Sequence, residues 1–181
     1  MEPRIPPVTD DTTLDDETRG LLQAMSIGPA QNIFRTMVQH PKLMKRWLVF
    51  ANHILFKSTI PARDREILIL RTGWLCRAEY EWGQHVLIGK ALGLTDEEIT
   101  RITAGPSAEG WEPFDAALLR AADELFADQR VSDATWKALS ERYETQQMMD
   151  AIFTVGQYTL VSMALNSFGV QLDPGVPGFP S

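Results

Sequence analysis

The residues in this chain best suited to proton chemistry are two carboxylates and a histidine: Glu66, Glu81 and His85. They stand in PARDREILILRTGWLCRAEYEWGQHVLIGKALGL, residues 61–94. Glu81 and His85 have the i,i+4 spacing that lets two side chains meet on one helix face. The carboxylate favours an imidazolium and burial opposes it, a competition that holds an imidazole near neutrality, where it accepts and returns protons. Glu66 enters through geometry. The stretch reads as two helices with a break near Cys76–Ala78. In an antiparallel pair turning between residues 75 and 76, Glu66 and His85 are equally far from the turn. At roughly 1.5 Å rise per residue each lies about 14 Å from it, and the two are level. All three are expected to line one cavity, with Glu66 and His85 within about one water's bridging distance of each other.

The elements that position them carry their own signals. Pro61 is suited to the first helical turn, with Ser58 or Thr59 ahead of it as cap, and Gly93 suits the far end of the second helix. Glu79 is two residues from Glu81 and points to the other side, toward Arg71 or Arg77. Weaker pocket-lining candidates are Tyr80, Trp82, Arg71 and Cys76. The two aromatics better suit a core or subunit contact, Arg71 a structural ion pair, and Cys76 a small buried hydrophobe. His40 and His53 have no carboxylate at metal-ligand spacing, so no metal site is expected.

The same residues resemble the carboxymuconolactone decarboxylase family, which includes the alkyl hydroperoxidase D peroxidases. In those peroxidases a Glu stands before a Cys-x-x-Cys-x-x-x-His motif on the next helix. Laid on this chain, the Glu falls on Glu66 and the His on His85, while the cysteine positions fall on Ala78 and Glu81. The chain thus resembles a branch without the dithiol. The decarboxylase pattern Glu-x-Glu-x-x-x-His is matched by Glu79-Tyr-Glu81-Trp-Gly-Gln-His85. The resemblance implies an all-α, single-domain, alkyl hydroperoxidase D-like fold of about eight or nine helices around a central antiparallel pair. It also implies a homo-oligomer, trimer or hexamer.

Composition bounds the rest. The 181 residues suit one domain with a real core. A net charge of −7, from 17 basic and 24 acidic residues, argues against nucleic acid or an anionic membrane as main partner. A single cysteine excludes an internal disulfide, and the N-terminal residues lack a secretory pattern; a cytoplasmic protein is expected. Residues 151–172 are uncharged and long enough to span a bilayer, yet Thr154, Gln157, Tyr158, Ser162 and Asn166 run along them. A helix buried in a core or a subunit interface explains that pattern better than a membrane span.

In chain order, residues 1–14 form an arm and 15–181 the helical domain. Helices are expected over Leu14–Met25, Gln31–Gln39 and Pro41–Phe56, with breaks at Gly28-Pro29 and His40-Pro41. After the central pair come a helix opened by the Thr95–Glu98 capping box, a loop at 104–113, Phe114–Phe126, Asp133–Tyr143, and the uncharged helix from Thr145. Residues 82–93 (WGQHVLIGKALG) are echoed by 155–166 (VGQYTLVSMALN). Read as a duplication, this sets Tyr158 at the place of His85 and Thr154 at that of Glu81, making the second half a scaffold.

The functional expectation is a cofactor-independent, decarboxylase-like enzyme acting on a small organic acid or carbonyl compound. Decarboxylation, isomerisation and lactone opening would use the same groups. A peroxidase is the alternative, disfavoured because a two-thiol cycle needs a second cysteine. A non-catalytic oligomeric scaffold is the other.

Overall fold

A fourteen-residue helix buried on every side sits at the centre of the molecule, and its sequence shows why. In α4 (Ala62–Leu75), Ile67, Leu68, Ile69 and Leu70 are consecutive and all fully buried, so no face is left for solvent. Each such side chain contributes roughly 1.5–3 kcal/mol by leaving water. The structure, a computed structural model, describes residues 2–24 and 31–180. Among these the fold is all-α, with nine α-helices and no strand.

Around α4 pack α5 (Glu79–Ala91), α7 (Pro113–Asp128) and the long α9 (Thr145–Phe168), with α6 (Asp96–Ala104) at its side. A second layer holds α1 (Asp16–Ala24), α2 (Asn32–Met37) and α3 (Pro41–Asn52), which gather around Leu22, Val38, Met44 and Leu48. α8 (Asp133–Ser140) closes against α7. The Thr95 capping box and the Ser132 cap form as expected. The expected helix end at Met25 and break at Gly28-Pro29 lie outside the described residues.

Three local expectations change. Pro61 is the N-cap of α4, with extended ψ of 139° and no side-chain cap, because Thr59 is engaged elsewhere. The Thr59 backbone N–H and hydroxyl both donate to Asp150 of α9. The helix expected over 41–56 passes after Asn52 into a π-helical turn, His53–Lys57. Glu79 meets neither Arg71 nor Arg77 and instead accepts from the Phe179 backbone N–H at 3.2 Å.

The turn between α4 and α5 decides how close the two helices come. Arg77 takes a left-handed φ of 52°, and the Ala78 N–H reaches back to the Gly73 carbonyl at 2.9 Å. The Arg77 N–H bonds Trp74 at 3.0 Å, completing a Schellman ending that reverses the chain. On the outer side of α5 lies the C-terminal segment, where Phe179 packs between Trp74 and Trp82. Gly83 admits it: a methyl there would run into the Pro177 carbonyl and the Val176 side chain. Gly83→Ala should therefore destabilise by about 1–3 kcal/mol, the usual cost of overpacking, in a denaturant titration. An unchanged midpoint would show that the segment rests loosely on α5.

α9 is long and apolar enough to cross a membrane by length and composition, but 56% of its most apolar window is buried against the other helices. Its Thr154, Gln157, Tyr158 and Ser162 all face inward.

Candidate active site

Antiparallel packing of α4 on α5 sets Glu66 directly against His85. Glu66 Oε2 and His85 Nδ1 are 2.5 Å apart, a direct hydrogen bond and so inside the bridging-water distance expected. One helical turn back, Glu81 Oε1 lies 3.0 Å from the other ring nitrogen, Nε2. The imidazole is held at both ends. Glu66, Glu81 and His85 are 0%, 5% and 4% exposed, so the trio is enclosed by protein in the single chain and does not line an open cavity.

Two residues complete the cluster. Arg65 donates to Glu66 Oε1 through Nε at 3.0 Å and Nη2 at 2.9 Å, itself only 9% exposed. Both Glu66 oxygens are thus satisfied by cations. Tyr158 of α9 packs its ring edge-on to His85, with centroids 4.9 Å apart at 87°. Among the described residues no hydrogen bond reaches its hydroxyl. Buried charge is expensive unless compensated, and here two carboxylates face an imidazolium and a guanidinium.

These charges set the protonation state. Burial alone would lower the His85 pKa; the charge and hydrogen bond of Glu66, then those of Glu81, outweigh it and raise the pKa to about 9. The imidazole is therefore not poised near neutrality, as one carboxylate against burial would leave it; two carboxylates keep it charged. Burial likewise pushes Glu66 upward, but His85 and Arg65 outweigh it and its pKa is lowered. Tyr158 is pushed well above the usual phenol range, first by burial and then by Glu81 and Glu66, so it stays protonated.

The weaker candidates are held by other partners. Tyr80 donates to Asp173 at 2.6 Å and accepts from the Ile33 N–H, tying α5 to α2 and the C-terminal segment. Trp82 is buried with Trp74 and Phe179, on the outer side of α5. Arg71 forks onto Asp123 at 2.6 and 3.0 Å and caps the carbonyls of Ile102 and Thr103. A guanidinium so committed has little left for a substrate carboxylate. Cys76 ends α4 facing Thr159 and Ser162 of α9, and burial raises its thiol pKa, favouring the unreactive form. Arg65 and Tyr158 escaped the sequence reading of the site. The signal for Tyr158 was present, since the 82–93 and 155–166 echo sets it opposite His85.

Residues 41–124 match the model of the carboxymuconolactone decarboxylase family. That segment, which carries Glu66, Glu81 and His85, is similar to this family. A search of curated proteins finds no match. Among solved structures, the alkylhydroperoxidase AhpD core of a peroxidase-related protein from Ralstonia eutropha JMP134 superposes with a TM-score of 0.83 at 18% identity, covering 96% of this chain and 95% of that one. A peroxidase-related protein from Silicibacter sp. TM1040 gives 0.82 at 13% identity over 97% and 96%. A cysteine-to-alanine variant of the debrominase Bmp8, in complex with 2,3,4-tribromopyrrole, gives 0.73 at 14% identity over 96% and 94%. At such identities these likenesses define the fold.

Proposed function

We infer that this protein is a decarboxylase-like enzyme that acts on a small organic acid or carbonyl compound by acid–base chemistry of its own side chains. The observation that carries the reading is His85 clamped between Glu66 and Glu81 at 2.5 and 3.0 Å in a buried setting. An imidazolium kept charged to about pH 9 is a general acid. In a decarboxylation it protonates the carbanion or enolate at carbon; in an isomerisation or lactone opening it protonates the developing oxyanion or leaving group. Glu81 orients the ring, and Glu66, held ionised by His85 and Arg65, keeps the second ring proton on Nδ1. That a debrominase shares the fold supports an enzymatic use of it, on a small ring in that case.

A homo-oligomer fits the surface. Met149, Phe153 and Met163 are exposed apolar residues of α9, and Phe50 meets Phe153 edge-on at 5.9 Å. Contiguous apolar surface of this kind marks an interface.

The reading is tested by a thermal-shift screen of organic acids and carbonyl compounds, since a ligand of the native state raises stability by mass action. On the substrate so found, Glu81→Gln should move the alkaline limb of the pH profile to lower pH. The sign follows from His85: without the Glu81 charge its imidazolium is less stabilised and its pKa falls from about 9. An unmoved limb would remove His85 from the rate equation.

Cys76→Ser should leave turnover within about twofold, because a thiol with a raised pKa is a poor nucleophile. Peroxide consumption by the wild type that disappears in this variant, with the fold intact, would replace acid–base chemistry by a one-cysteine peroxidase.

A further inference from the structure

A second concave site lies away from the trio, between α2, α3 and α9. It is a cavity of about 370 Å³, a size that suits a small organic ligand. Met37, Leu160 and Leu165 supply apolar walls, Trp47 adds an indole ring with its N–H, and the remaining polar side chains of the lining are Thr36 and Arg46. Both of those are unspent. Thr36 is 3% exposed, and its hydroxyl has no hydrogen-bond partner. A helical threonine ordinarily donates to the carbonyl one turn back, as Thr72, Thr154 and Thr159 do here. Leaving a buried hydroxyl unpaired costs stability, and among the described residues Ser58, Gln157 and Ser162 share that state with Thr36. Arg46 is exposed at the mouth and forms no ion pair or hydrogen bond among the described residues.

We propose that this cavity binds a monocarboxylate with an apolar body, its chain or ring among the apolar walls and its carboxylate on Arg46, with Thr36 available as a donor. Each part of the ligand follows from a part of the site. The apolar lining excludes a sugar or a polyanion, whose hydroxyls or charges would lose water without replacement. The guanidinium selects a planar anion that takes two parallel N–H bonds. In a chain of net charge −7 the general field repels anions, so the local cation decides which headgroup enters. The site does not depend on catalysis by the trio. The two are nevertheless neighbours on α9: Val161 and Leu165 of the cavity wall lie one and two turns beyond Tyr158, the residue that covers His85.

The test is isothermal titration calorimetry of the full chain with octanoate and with naphthoate, a flexible and a rigid carboxylate, and with octylammonium and octanol as comparators. Saturable binding of either carboxylate at one site per chain is expected, with octylammonium binding more weakly. Arg46→Gln, a surface change that leaves the fold intact, should weaken carboxylate binding by about tenfold or more while leaving octanol unchanged, the share of a charge-assisted hydrogen bond. Ala164→Phe, which fills the cavity, should abolish binding of both carboxylates and octanol with the melting temperature maintained. No saturable carboxylate binding overturns the proposal, as does binding indifferent to Arg46→Gln. Ala164→Phe or Arg46→Gln changing the oligomer mass in light scattering, with no carboxylate bound by the wild type, reassigns the groove to a contact between copies of the chain.

Discussion

His85→Ala is expected to lower turnover by about 10²–10⁴-fold, the range for loss of a positioned acid–base group. The loss should fall on kcat more than on KM, since the imidazolium acts on the charge that develops in the transition state. Removing the ring also leaves Glu66 and Glu81 buried without the cation between them. His85→Gln is the companion variant, because its amide keeps a donor while it cannot transfer a proton. Full activity in both, measured on folded protein, would mean that the trio is a packing device.

The second large effect is on stability. Glu66→Ala should cost about 3–5 kcal/mol near neutral pH, because it strands the buried Arg65 and His85 cations. Glu66→Gln should cost less, since it can keep a hydrogen bond to either neighbour. The pH dependence gives a separate check. His85 has its folded pKa raised from 6.5 to about 9, so its contribution is complete below pH 6.5 and is lost as pH rises through about 9. Glu66 has its folded pKa lowered from 4.5, so its contribution is complete above that value and is lost as the pH falls through the depressed pKa. The penalty of Glu66→Ala in urea unfolding should thus be largest between about pH 5 and 6.5 and smaller at pH 10, where only Arg65 still needs the carboxylate. A penalty that does not vary with pH would show that His85 is neutral in the fold.

Tyr158 adds a constraint on any mechanism. Its ring covers the imidazole and its phenol stays protonated, so a substrate that reaches His85 from the α9 side must pass this side chain. Cys76, by contrast, is turned toward Thr159 and Ser162.

Much of this was legible in the chain itself. The helices of the described residues follow from apolar runs, the Thr95 and Ser132 caps and the breaks at His40-Pro41 and Cys76–Ala78, because those signals act over one or two turns. The pairing of Glu66 with His85 was also readable, since two helices joined by a short turn must lie antiparallel and residues equidistant from it must meet. Local spacing likewise determined that Glu81 reaches the histidine.

What the tertiary structure decided is what lies beyond one hairpin. Burial of the trio depends on α9, a helix remote from α4 and α5 in sequence, whose Tyr158 closes over the ring. The charge state of His85 depends on a sum of opposed terms: desolvation, and a second carboxylate at 2.5 Å whose approach no sequence spacing specifies to the ångström. Arg71 found Asp123 on α7 and Tyr80 found Asp173 in the C-terminal segment, partners that only packing could name. The cavity between α2, α3 and α9 had no sequence signal, because a void is set by what three separate helices fail to fill. Sequence determined which groups could do proton chemistry; the packing of distant helices determined that they are dry, charged and mutually clamped.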